Sequence, residues 1–131
     1  MNACPCGSKK DYFNCCGLFI DGKQLPSTPE ELMRSRYTAY TQTNIDYIIR
    51  TMKGEAANRF DEKEVLQRAK KIQWVKLEVI NSQWDFSAKG FVEFRAHFSR
   101  KNKIHVLHEI SEFHCEQGQW FYVDGVFPDA K

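Results

Sequence analysis

Cys4, Cys6, Cys15 and Cys16 stand in the pattern C-x-C-x8-C-C with Gly17 directly behind, and a fifth cysteine, Cys115, lies far from them. Thiolates at that spacing can close on one tetrahedral ion: zinc takes four cysteine sulfurs at about 2.3 Å, and iron accepts the same donor set. The segment offers only Pro5, Tyr12, Phe13, Leu18 and Phe19 as apolar side chains, too few for a core of its own. Metal-binding energy must then supply folding energy. One ion is expected, zinc with iron as the variant, bound by Cys4, Cys6, Cys15 and Cys16 and not by Cys115. Gly7 is expected at positive φ, where the chain turns around the metal. Lys9 and Lys10 would offset the negative charge of the thiolates.

A pair of disulfides is the competing assignment, and it would suit a small secreted domain. Only Met1, Asn2 and Ala3 precede the first cysteine, with no apolar signal-peptide core. The expected compartment is therefore the cytoplasm, where clustered cysteines favour metal chemistry. A thioredoxin-type site would need C-x-x-C opening a helix after a strand, a context this segment lacks.

A second group of residues has the types for a pocket. Arg36 lies three residues after Met33 and four before Tyr40, which puts a cation on or beside an apolar helix stripe with Tyr37. Strand alternation puts Glu109 and Ser111 on one face with Leu107 and Phe113. A lone buried carboxylate is driven neutral, whereas an arginine beside it keeps it ionised. Arg36 and Glu109 are accordingly expected to pair. The pocket candidates are Arg36, Tyr37, Tyr40, Glu109, Ser111 and Asp124. His97, His105 and His108 are further groups of catalytic type, yet histidines scattered along strands read first as surface or satisfied core residues. No nucleophile elbow, phosphate loop or H-E-x-x-H is present, and no residue is assigned a catalytic role.

The elements that must position these groups follow from capping and period. Thr28 caps a helix that has Pro29 at its first position and Glu30 and Glu31 at the positive end of its dipole. Asn44 caps a second helix, ending at Gly54, and a third covers 61–71 with Val65, Leu66 and Ala69 inward and Arg68 outward. The period then changes to two. Strands are expected over 74–79, with Val75, Leu77 and Val79 facing away from Trp74, and around 92–98, with Val92, Phe94, Ala96 and Phe98 on one face. A turn at 100–103, a strand over 104–115, a tight Gln117-Gly118 link and a strand over 119–124 complete the chain.

Helices first and an antiparallel meander afterwards indicate an α+β fold with helices on one face of the sheet. Residues 1–20 would form a metal-held head and 28–127 the body, energetically separable, with Ile20 to Ser27 as connector. Apolar residues on both faces of the third strand leave room for a partner subunit in a homodimer, or for the head, on the far side. Hydrophobic content of 42% and charged content of 27% are ordinary for a globular chain of 131 residues. A formal charge of +2 is too balanced for a strong nucleic-acid signal, and no apolar run is long enough for a membrane span.

CPCGSKKDYFNCCG at 4–17 resembles the SEC-C motif, the zinc-binding element at the C-terminal end of the bacterial preprotein translocase ATPase. The motif usually reads CPCGSGKKYKxCCG or CPCGSGKKYKxCHG, so Lys9 replaces a glycine, and Asp11, Phe13 and Asn14 dilute its basic character. LMRSRYTAY at 32–40 and QWFYVDG at 119–125 look like the YchJ family, which joins this motif to a domain similar to nuclear transport factor 2. Members often end in a second SEC-C motif, whereas this chain stops at Lys131. The resemblance implies a cone-shaped, cystatin-like body on a zinc knuckle. It also implies an adaptor with a protein or ribosome-associated partner, because the translocase element docks an export chaperone and the ribosome. Related cone folds, similar to ketosteroid isomerase and scytalone dehydratase, hold polar groups inside a pocket, which implies the alternative of a small-molecule binder or an isomerase- or dehydratase-like enzyme. An apolar-lined cavity containing Glu109 or Asp124 beside His or Tyr would favour that alternative, and a filled interior the adaptor.

Overall fold

A computed structural model describes residues 2–85 and 87–129. Met1, Phe86, Ala130 and Lys131 lie outside the described residues, including the two that fall within the expected ranges 1–20 and 28–127. A short 3-10 turn, Tyr12–Asn14, leads into α1 (Cys16–Ile20), and α2 (Pro29–Thr41), α3 (Ile45–Arg50), α4 (Gly54–Arg59) and α5 (Glu62–Ala69) follow. Strands β1 (Gln73–Trp84), β2 (Lys89–Arg100), β3 (Lys103–Glu116) and β4 (Gln119–Val126) then form one antiparallel sheet in the order β1-β2-β3-β4. This is the α+β class expected from the element order.

The start signals act as read. The Thr28 side chain accepts from Glu31 N at 3.1 Å, and the Asn44 side chain accepts from Tyr47 N at 3.1 Å. Both tight hairpin links have positive φ at their central residues, Lys101 and Asn102 in one, Gln117 and Gly118 in the other. That is the geometry that matches the twist of paired strands. Gly54, expected to end α3, instead opens the additional short helix α4, while α3 stops at Arg50. Residues 51–53 pair with β4: Tyr122 N donates to Thr51 O, and Lys53 N donates to Tyr122 O. The outer edge of β4 is thereby covered.

Three bulges reset the faces of the sheet. The register steps from Trp74 to Lys76 and from Val79 to Asn81 on β1, leaving Val75 and Ile80 as extra residues. On β4 the register steps from Tyr122 to Asp124, leaving Val123 extra. An extra residue inverts the side-chain alternation beyond it. Trp74 therefore joins Leu77 and Val79 on the helix-covered face, contrary to simple alternation, and Val75 is 54% exposed.

The head does not stand apart. Cys4, Cys6, Cys16, Phe19 and Ile20 belong to the same buried cluster as Leu32, Met33, Tyr37, Ile48, Phe94 and Phe113. It packs on α2 and leaves the outer face of the sheet, with Phe91, Ile104, Val106 and Val126, exposed. Separable energetics are not what this packing implies.

On that outer face both ring nitrogens of His108 meet carboxylates, Glu93 and Asp129, each at 2.7 Å. Those two hydrogen bonds raise the imidazole above its ordinary pKa, opposed by desolvation and then by Arg95. A group raised in the folded state adds stability that is complete below about pH 6.5 and is lost as pH rises through the folded value. Urea midpoints between about pH 5.5 and pH 9 should therefore decline across that window in the wild type and not in His108→Gln. Parallel profiles for the two proteins would contradict the clamp.

Candidate metal centre and interior cavity

An isolated antiparallel bridge, Ala3 to Asp11, brings the two ends of the first cysteine loop together, and Cys4 N donates to Lys10 O at 2.9 Å. Gly7 has φ 83°, as the turn around the cysteines requires. The 3-10 turn then presents Cys15 and the start of α1 presents Cys16. The four sulfurs lie within 4.8 Å of one another, and those of Cys6 and Cys15 are 3.7 Å apart. A tetrahedron with bonds of about 2.3 Å has edges of about 3.8 Å, so this donor set fits a thiolate-bound ion. All five cysteines are free rather than disulfide-bonded. A hydrogen bond from Cys16 pulls the Cys6 thiol well below its ordinary range while pushing Cys16 up, and burial raises Cys15.

Groups around the sulfurs fix their orientation. Ser8 Oγ lies 3.2 Å from Cys15 Sγ, and Thr38 Oγ1 lies 3.8 Å from Cys4 Sγ. Arg34 Nη1 donates to the Cys6 carbonyl at 2.8 Å, and Glu30 holds the same guanidinium at 2.9 Å. Thr38 and Arg34 are one turn apart on α2, so this helix supplies the supporting shell. Lys9 and Lys10, assigned from sequence to balance the thiolates, are exposed.

The other side of α2 lines a cavity of about 570 Å³. Met33, Arg36, Tyr37 and Tyr40 recur at i, i+3, i+4 and i+7 along it. They face Trp74, Phe94, Ala96, Phe98, Leu107, Glu109, Ser111, Phe113 and Tyr122 from the sheet, while α5 closes one side through Val65, Arg68 and Ala69. Trp74 meets Tyr37, Tyr40 and Phe98 edge-on at centroid distances of 5.7, 6.3 and 5.5 Å. The interior is open and mostly apolar, within the size range of ligand pockets.

Five of the six pocket candidates line this space: Arg36, Tyr37, Tyr40, Glu109 and Ser111. Asp124 does not. The Val123 bulge turns it outward, where Arg59 Nη2 donates to it at 2.6 Å and holds its carboxyl below the ordinary range. Gly125 takes the inward place instead. A Cβ there would lie 2.8 Å from Glu109 Cδ and 2.7 Å from the Tyr122 hydroxyl, so only glycine leaves these two side chains their positions. None of His97, His105, His108 and His114 lines the cavity.

Arg36 and Glu109 are both buried, at 6% and 7% exposure, but no ion pair within 4.0 Å joins them among the described residues. Arg36 Nη1 donates instead to Ile48 O at 2.8 Å, at the negative end of α3, and to Thr51 Oγ1 at 2.7 Å. Its guanidinium stacks 4.7 Å from the Tyr122 ring centroid. The Tyr122 and Ser111 hydroxyls each donate to Glu109 Oε2 at 2.7 Å. Tyr122 thus stands between cation and carboxylate where direct contact was expected. Burial raises the Glu109 pKa, opposed by those two donors and then by Arg36. Burial also pushes the Tyr37 phenol up to about 12. Tyr122 was not among the sequence candidates, although alternation through 120, 122 and 124 pointed to it as strongly as to Asp124.

The family model described as YchJ, middle NTF2-like domain, matches residues 28–125. The chain belongs to this family. A UPF0225 protein of Shewanella sp. (strain MR-4) is 42% identical over 98% of this chain and 82% of its own length. Another, from Vibrio parahaemolyticus, is 36% identical over 99% of this chain and 78% of its own. Among solved structures, a SEC-C motif containing protein from Rhodopseudomonas palustris superposes with TM-score 0.89 at 35% identity, covering 98% of this chain and all of that one. One from Psychrobacter arcticus gives 0.82 at 26% identity, covering all of this chain and 84% of that one. The head resembles the SEC-C motif in the cysteine positions that converge here.

Lys9, where that motif carries glycine, has φ 72°. A side chain in the left-handed region costs about 1–2 kcal/mol, against a smaller entropic cost for glycine. Lys9→Gly should therefore raise the unfolding free energy of the metal-loaded protein by about 1 kcal/mol in denaturant titrations. An unchanged or lowered value would contradict the strained position.

Proposed function

We propose that this chain is a small-molecule binding protein whose interior takes a ligand and whose four-cysteine head is a zinc site bracing the helix that forms the cavity wall. The observation that carries this reading is the open, apolar cavity with buried Arg36 and Glu109 facing into it. A filled interior would have favoured the adaptor. Zinc is supported by the tetrahedral spacing of an all-cysteine donor set and by the likeness to SEC-C motif proteins. Iron is the variant ion. Free cysteines in such a cluster suit a reducing compartment, so the reading includes a cytoplasmic location.

A second reading, the adaptor with a protein or ribosome-associated partner, is supported by the exposed apolar side chains of the outer face of the sheet, Ile104 and Val106 towards one end and Phe91 and Val126 towards the other. A second copy of the chain is the other candidate to cover them. The two readings separate on paired variants. Leu107→Trp, which fills the cavity from a half-buried wall position, should abolish uptake of a neutral aromatic probe and leave ribosome co-sedimentation and self-association unchanged. Ile104→Lys with Val106→Lys should do the reverse if the outer face is the working surface. Protein purified without chelator should carry about one zinc per chain, falling in Cys6→Ser. Less than half an equivalent would count against the metal assignment.

A further inference from the structure

We propose that the ligand of the cavity is a small organic acid with a ring-bearing apolar body, whose anionic group meets Arg68 and Arg100 at the cavity margin and whose one hydrogen-bond donor reaches Glu109. The proposal rests on the ligand-binding reading above and names its chemical class.

Charge is the first observation. Among the described residues, Arg36, Arg68 and Arg100 line the cavity against a single carboxylate, Glu109. Arg36 is buried, whereas Arg68 and Arg100 are exposed at its margin, where an entering ligand meets them. Arg68 pairs with Glu64 at 2.9 Å, but both side chains are more than 60% exposed and stand at i and i+4 on α5. Such an exposed pair is weak and yields to a ligand anion. An apolar space bordered by excess positive charge favours an apolar molecule carrying negative charge, because its body is desolvated there while its charge stays paired.

The second observation is how the buried polar atoms are satisfied. Both donors to Glu109 converge on Oε2, and no donor among the described residues reaches Oε1. No buried side-chain nitrogen or oxygen lacks a partner among the described residues. Oε1 is therefore accessible, and the space this side chain faces is the cavity. It presents an acceptor to the ligand. The same argument applies to Arg36, whose two hydrogen bonds both leave from Nη1, so that Nε and Nη2 remain to donate. A carboxylate that accepts from the ligand requires an O–H or N–H on it.

Ring shape is the third observation. Trp74 stands edge-on to both Tyr37 and Phe98 along the walls, and Phe94 and Phe113 add further apolar surface. Rigid aromatic walls fit a planar or alicyclic body at small entropic cost.

Two fluorescent probes with one body test this in the metal-loaded full chain. 8-Anilinonaphthalene-1-sulfonate carries fused rings, an N–H and an anion, and N-phenyl-1-naphthylamine is the same molecule without the sulfonate. The sulfonate should bind about tenfold more tightly. The Arg68→Ala, Arg100→Ala double variant, altered only at exposed side chains, should bring the two within about twofold while keeping the affinity of the neutral probe. Equal binding of both probes by the wild type would overturn the acid and leave the ligand-binding reading standing. So would a sulfonate preference that survives the double variant, or an equal loss of both probes in it. Failure of both probes to bind would overturn the ligand-binding reading itself.

Discussion

Helix α2 has to serve two surfaces at once, and this constraint organises the molecule. Its 13 residues place Arg34 and Thr38 against the cysteine cluster, while Met33, Arg36, Tyr37 and Tyr40 form a wall of the cavity. Between those faces Ser35 Oγ meets the Tyr47 hydroxyl at 2.7 Å and ties α3 to the helix. A helix this short has little stability of its own, so its position comes from what it packs against. The sheet supplies one side. On the other, a segment of few apolar residues supplies Cys4, Cys6 and Cys16 to the core, and four sulfurs brought so close are stable together when one ion shares them. The geometry of the cavity thus depends on the head.

Inside the cavity two opposite charges are buried without touching. Each is held by neutral groups: Arg36 by a helix-end carbonyl, a hydroxyl and an aromatic face, and Glu109 by two hydroxyls. Direct pairing would have used up the donors and acceptor that now face the interior. Separation leaves each charge with unspent hydrogen-bonding capacity, a polar floor under apolar walls. Pairing of residues 51–53 with β4 fixes the Tyr122 backbone through both its N–H and its carbonyl, and Gly125 leaves room for the Tyr122 and Glu109 side chains. The small loop after α3 therefore contributes twice, through Thr51 to Arg36 and through its backbone to Tyr122.

The cysteine spacing, the caps at Thr28 and Asn44, the hairpin turns and the inward face of β3 were all legible in the sequence because each is a local signal. Residues within a few positions of one another decide them. The faces of Trp74 and Asp124 were not legible, because a bulge is fixed by the partner strand: nothing near Val75 or Val123 announces the extra residue. The same cause hid the role of Gly125. The join between head and body escaped for a different reason. A cysteine reads as a ligand or as a small buried apolar group, and at Cys4, Cys6 and Cys16 it is placed to be both. The additional helix α4 starts at Gly54, a residue whose local preference argued for an end rather than a start.

The account stands or falls on whether the cysteine cluster and the cavity form one cooperative structure through α2. Amide hydrogen exchange, measured residue by residue with the metal bound and after its removal by a chelator, tests this directly. We expect lost protection to extend from the head along α2, through Arg36 and Tyr37, to Tyr47 and Ile48 in α3. Lost protection confined to residues before about 25, with α2 and the sheet unchanged, would contradict it.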